Sequence, residues 1–214
     1  TTTENKTADE KEAEDHVRRA CYAVSLGHEK YARALLESNP TAVLFMPDKI
    51  DNFRRSFFYE CAFGSLPSLM KRALELLTTH NAERLKYREI HQEDITQTPS
   101  DVSQAGWTPL MNAAFRGDRE IVESLLKEYE TEENKQKRIA RINYQNPFGQ
   151  TALYWAVVTA DEGIIALLVA AGADPALVNP PHVSSPLEYT PLHMAARLNR
   201  TGVLKIFCEN TNRT

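Results

Sequence analysis

Glycine is scarce in this chain, at eight residues in 214, and the phosphate-cradling strings that depend on it do not occur: neither G-x-x-x-x-G-K nor G-x-G-x-x-G is present. Cysteine is scarcer still. Cys21, Cys61 and Cys208 are odd in number, widely spaced and without a C-x-x-C, which reads as reduced, buried thiols in a cytosol-like compartment. Long apolar runs are missing too. The longest is Ile164 to Ala171, far short of the roughly 20 residues a membrane-spanning helix needs, so no membrane insertion is expected. Nor is there a secretory signal at the start.

An excess of positive charge is also lacking. The net charge is -4, and six acidic against two basic side chains in residues 1–15 account for all of it. A neutral body argues against nucleic acid as a partner, since phosphate recognition needs a basic face. The six histidines, His16, His28, His80, His91, His182 and His193, show no zinc-ligand spacing with one another or with cysteine. S-x-x-K occurs at Ser68 to Lys71 and at Ser124 to Lys127, without the S-D-N and K-T-G companions of serine acylation chemistry. No catalytic residue, metal ligand or cofactor is therefore assigned, and the chain is expected not to be an enzyme.

What is present is a repeat. Gly106-Trp107-Thr108-Pro109-Leu110-Met111-Asn112-Ala113-Ala114 aligns with Gly149-Gln150-Thr151-Ala152-Leu153-Tyr154-Trp155-Ala156-Val157 and with Glu188-Tyr189-Thr190-Pro191-Leu192-His193-Met194-Ala195-Ala196. Each part has a physical reason. Thr108, Thr151 and Thr190 suit helix N-caps, where a side-chain oxygen accepts an otherwise orphaned N–H. Pro109 and Pro191 suit the first helical position. The small pairs let neighbouring helices approach, and Gly106 and Gly149 suit a turn that needs positive φ. Second helices follow at Ile121 to Leu126, Ile164 to Val169 and Val203 to Cys208, with Glu123 and Lys127 on the polar face of the first. Two degenerate copies lie upstream, around Ala23 to Leu36 and from Ser56 to Leu77.

This pattern resembles the ankyrin repeat family, whose signature is G-x-T-P-L-H-x-A-A followed by a turn and an I-V-x-x-L-L helix. Glu188 departs from the usual Gly, and Met111 and Tyr154 stand where the family has His. The resemblance implies an all-α ankyrin-repeat solenoid of about five helix-turn-helix repeats, at roughly 16–39, 53–78, 104–130, 146–175 and 186–210. It also implies a bracing role for His193. The helix corners near 27, 64, 117, 160 and 199 lie further apart than the family's period of about 33 residues. Inter-repeat insertions are therefore expected near 40–52, 79–103, 130–141 and 179–187. The 130–141 insertion reads as a solvated helix lengthening the one before it, and residues 1–15 as a flexible acidic segment or a frayed helix extension.

The resemblance further implies a protein partner held on the concave face, at loop tips and at the exposed ends of first helices. Those positions are Trp107, Gln150 and Tyr189 after the loop residue; Phe115, Arg116, Val158, Thr159 and Arg197 at the helix ends; and Phe148 beside Gly149. Trp107 and Phe115 admit two readings, contact with a partner or burial beneath the insertions. Trp155 and Met194 read as packing residues. The expectation is thus a cytoplasmic, monomeric adaptor or scaffold. The alternative is the recognition domain of a larger enzyme, channel or pathogen effector, which a chain starting at Thr1 and lacking a polar capping repeat at its end would suit.

Overall fold

A computed structural model describes residues 8–39, 57–79, 106–130, 134–177 and 190–211. Among these are eleven helices and no strand. The expected insertions at 40–52 and 179–187, nearly all of the one at 79–103, and Tyr189 fall outside the described residues. The chain divides into two compact units, 1–104 and 105–214.

In the first unit, α1 (Ala8–Ser25) packs on α2 (Glu29–Ser38) and on α3 (Phe57–Phe63), and α4 (Pro67–Thr79) packs on α2 and α3. Helix α1 starts inside residues 1–15, which matches the helix-extension reading of that segment from Ala8 onward. Ala13 explains this, because it continues the buried stripe of Val17, Ala20, Cys21 and Val24 at helical spacing. The turn to α2 closes on Gly27, at φ 78°, with His28 N–H donating to the Ala23 carbonyl at 2.8 Å. At the next corner the left-handed residue is Ser65, at φ 54°, directly after Gly64. Polar contacts join α2 to α4. Ser68 Oγ donates to Glu29 at 2.5 Å and accepts from Arg33 at 3.2 Å, and Arg72 meets Glu37 at 3.2 Å.

The second unit holds three helix pairs in sequence order: α5 (Pro109–Arg116) with α6 (Arg119–Glu130), α8 (Ala152–Thr159) with α9 (Glu162–Ala170), and α10 (Pro191–Arg197) with α11 (Thr201–Thr211). First helices pack on first helices, α5 on α8 on α10, and second helices on second, α6 on α9 on α11. Leu110, Met111, Ile121, Leu125, Leu153 and Ile164 are fully buried between them. Burying each such side chain contributes about 1.5–3 kcal/mol, which helices this short cannot supply alone.

Each first helix starts as its threonine predicts. Thr108, Thr151 and Thr190 accept from the N–H groups of Met111, Tyr154 and His193 at 3.1, 3.1 and 3.2 Å. His193 Nδ1 lies 3.0 Å from the Thr190 hydroxyl, so the histidine braces the loop that caps its own helix. Asp161 caps α9 in the same manner, accepting from Ile164 N–H at 2.9 Å.

Two expectations are corrected here. Residues 135–142 do not prolong α6. They form a separate helix, α7 (Lys135–Ile142), which packs against α6. Asn134 starts it by accepting from the N–H groups of Gln136 and Lys137, and Ile142 buries its end. Arg141 holds the two helices together, reaching Glu128 at 3.3 Å and lying 3.9 Å above the Tyr129 ring. Cys21 and Cys61 are buried as expected, but Cys208 is exposed. Val203 and Phe207 take the core face of α11, and the next residue is turned about 100° away from it.

Candidate functional site

The loop before α8 is built by a residue that the motif reading passed over. Asn146 is buried, and its Oδ1 accepts from the N–H groups of Phe148 at 3.0 Å and Gln150 at 2.9 Å, while its Nδ2 donates to Gln150 Oε1 at 2.9 Å. Backbone bonds between Asn146 and Gln150, and from Gly149 to Asn146, close the turn. The tight Asn146-Pro147-Phe148-Gly149 string, with asparagine three residues before the glycine, was the available signal. The turn lifts Phe148 into solvent, 61% exposed. Gln150 is half-buried and committed to Asn146, which makes it part of the loop's frame.

The loop before α5 lies beside this one. Gly106 takes φ 77°, and a β-carbon there would collide with Pro147 Cδ. Glycine is thus required twice over, by conformation and by the closeness of the neighbouring loop.

Four aromatic side chains meet where these loops join the first helices. Trp107 and Trp155 lie 4.7 Å apart with their planes tilted by 32°. Phe115 stands edge-on to both, at 5.8 Å from Trp107 and 5.3 Å from Trp155, and Tyr154 is edge-on to Trp155 at 5.4 Å. Such edge-on pairs contribute about 0.5–1.5 kcal/mol beyond their buried area. Trp107 is half-buried in this cluster, while Phe115 remains 45% exposed. Trp155, read from its motif position as packing only, is the centre of the group. Its indole Nε1 is buried and meets no hydrogen-bond acceptor among the described residues.

The remaining candidates divide. Arg116 and Arg197 are exposed at the ends of α5 and α10, with Arg116 3.9 Å from Asp118. Val158 is half-buried. Thr159 is exposed, but its hydroxyl is within reach of the Ala156 carbonyl at 3.1 Å and, across the pair, of the Ala114 carbonyl at 3.4 Å. It therefore serves the packing of α8 on α5. Phe115, Arg116, Phe148 and Arg197 are left as the accessible members.

Among the described residues, no three His, Cys, Asp or Glu side chains come together in a way that could hold a metal ion. No described helix is long and apolar enough to cross a membrane. The thiol of Cys61 is raised well above its ordinary pKa, first by burial and then by Cys21, Glu60 and Glu29, which leaves it a poor nucleophile.

Comparison with known proteins agrees with the packing. The calmodulin-binding transcription activator CBT of Oryza sativa subsp. japonica is 35% identical over 68 residues, which are 32% of this chain and 7% of that protein. A family model for ankyrin repeats, in three copies, matches residues 72–179 and 139–214, well over half of the chain. With its threonine-capped first helices stacked one on the next and its second helices stacked behind them, this chain belongs to the ankyrin repeat family.

Proposed function

We propose that this chain is an adaptor or scaffold that holds a partner protein on its concave face, through Phe115, Arg116, Phe148 and Arg197. Ankyrin repeats are generally protein–protein interaction modules. The observation that carries the reading is the Phe115 ring. It projects into solvent while its base is wedged against Trp107 and Trp155, so it is already ordered and loses little freedom on binding. Phenylalanine and arginine also belong to the residue types enriched where partners bury surface. Trp107 supports that ring from beneath, and Gln150 and Thr159 hold the backbone that carries Phe148 and α8.

A photo-crosslinking residue at position 148 or 116 tests this against one at position 123, on the polar face of α6. The expected result is one protein species captured from both 148 and 116 and not from 123. Equal capture from all three, or capture from 123 alone, refutes the assignment of the face.

One observation favours a second reading. In the rice relative the matched segment is a small part of a much longer protein. On that reading these repeats are the recognition part of a larger chain, and the full-length open reading frame decides between the two.

A further inference from the structure

The corner where α1 meets α2 carries an apolar cluster that the face described above does not use. Tyr22, Leu26 and Tyr31 are 67%, 55% and 59% exposed, and together with Arg18, Arg19 and His28 they line one open groove. Adjoining exposed apolar side chains make a candidate contact surface, because covering them removes apolar area from water. The two arginines precede Tyr22 by three and four residues, so they lie one helical turn away on the same side of α1.

The charge of the groove says what fits it. Among the described residues, no carboxylate lines it. Arg19 pairs with Asp15 at 2.5 Å, but both side chains are largely open to water, and such a pair yields readily to a better-placed anion. The nearest acid along α2, Glu29, is engaged by Ser68 and Arg33 on the α4 side. A cationic rim next to tyrosines and a leucine complements a segment whose apolar side chains are followed, within a turn, by carboxylates.

We propose that this corner is a second docking surface, which takes an acidic segment of a partner protein with leucine or phenylalanine anchors seated between Tyr22, Leu26 and Tyr31. Its residues belong to the first unit and the aromatic cluster's to the second, so the two surfaces share no side chain.

The test uses the full chain, labelled with nitrogen-15, and three probes. One is a synthetic peptide with leucine at every third or fourth position and glutamate between. The second is the same peptide with lysine for glutamate, and the third is a phosphatidylserine vesicle. Saturable shifts around residues 18–31 with the glutamate peptide, and none with the lysine peptide, are expected. Arg18→Glu with Arg19→Glu weakens the glutamate peptide about tenfold or more. Tyr22→Ser with Tyr31→Ser abolishes saturation, and circular dichroism shows both variants folded.

Equal binding of the lysine peptide overturns the proposal. So does vesicle binding with no peptide binding, or concentration-dependent dimerisation lost in Tyr22→Ser. Contacts from the Tyr22 or Tyr31 rings to residues 1–7 or 40–56 overturn it as well, since the chain would then be its own occupant. None of these outcomes bears on capture from positions 116 and 148.

Discussion

Replacing Asn146 with alanine separates the loop's own chemistry from the packing around it. The substitution deletes the acceptor of two backbone N–H groups, at Phe148 and Gln150, and one amide donor to Gln150 Oε1. A donor that loses its partner in a buried setting costs about 1–3 kcal/mol. Phe148 is exposed, so water recovers most of its share, whereas Gln150 is half-buried and recovers less. The total expected is about 2 kcal/mol. Urea unfolding followed by tryptophan fluorescence measures it cleanly, because Trp107 and Trp155 are the chain's two tryptophans and both lie in the second unit. The midpoint should fall while the slope stays constant. Asn146→Asp keeps the acceptor oxygens and should lose less than half as much. A loss below about 0.5 kcal/mol for alanine, the range of an ordinary surface change, would refute the claim that this side chain builds the loop.

Thr151→Ala removes one N-cap acceptor and should destabilise the second unit by about 1 kcal/mol, with Thr151→Ser restoring most of it in the same assay. In the native chain Cys208 should react with a thiol reagent at once, and Cys21 and Cys61 only on unfolding, as counted by mass spectrometry. Burial raises the Cys61 pKa in the folded state, so the unfolded chain releases that proton first. The contribution of this thiol to the stability of the first unit should therefore be constant below about pH 8.5, the ordinary thiol value, and fall as pH rises above it. Chemical unfolding followed at the tyrosines of α1 and α2, compared with Cys61→Ala, reads out that slope.

Much of this fold could be read before any coordinates because its punctuation is local. A threonine cap, a proline at the first helical position and a left-handed residue at a corner each answer a requirement within four residues of itself. Asn146 was legible in principle by the same logic. The turn at α7 was not. Lys135 to Ile142 has the composition of a solvated helix, and what settles its place is distant. Asn143 Nδ2 donates to the Gly172 carbonyl at 2.9 Å, its Oδ1 accepts from Asp174 N–H at 2.8 Å, and Ile139 closes over Gly172. The aromatic cluster was half legible. Position in the motif identified Trp107 and Phe115 as neighbours of the surface, but the choice between covering them and presenting them depended on Trp155, one repeat further on. The outcome is mixed, with Trp107 partly covered and Phe115 partly presented. Cys208 was misread because the apolar stripe of α11 ends on Phe207, and periodicity alone does not say how wide a core face is.

The tilted contact of Trp107 with Trp155 has one further consequence. One ring belongs to the loop that opens one helix pair, and the other to the middle of the first helix of the next, so their contact is a fastener across the seam between two successive repeats. Any molecule that presses on Phe115 also presses on that fastener. Occupancy of the outer surface and resistance of the seam to opening are then thermodynamically tied. A ligand there should slow amide exchange in α5 and α8 beyond the residues it touches, and a weakened seam should reduce affinity without altering a single contact atom.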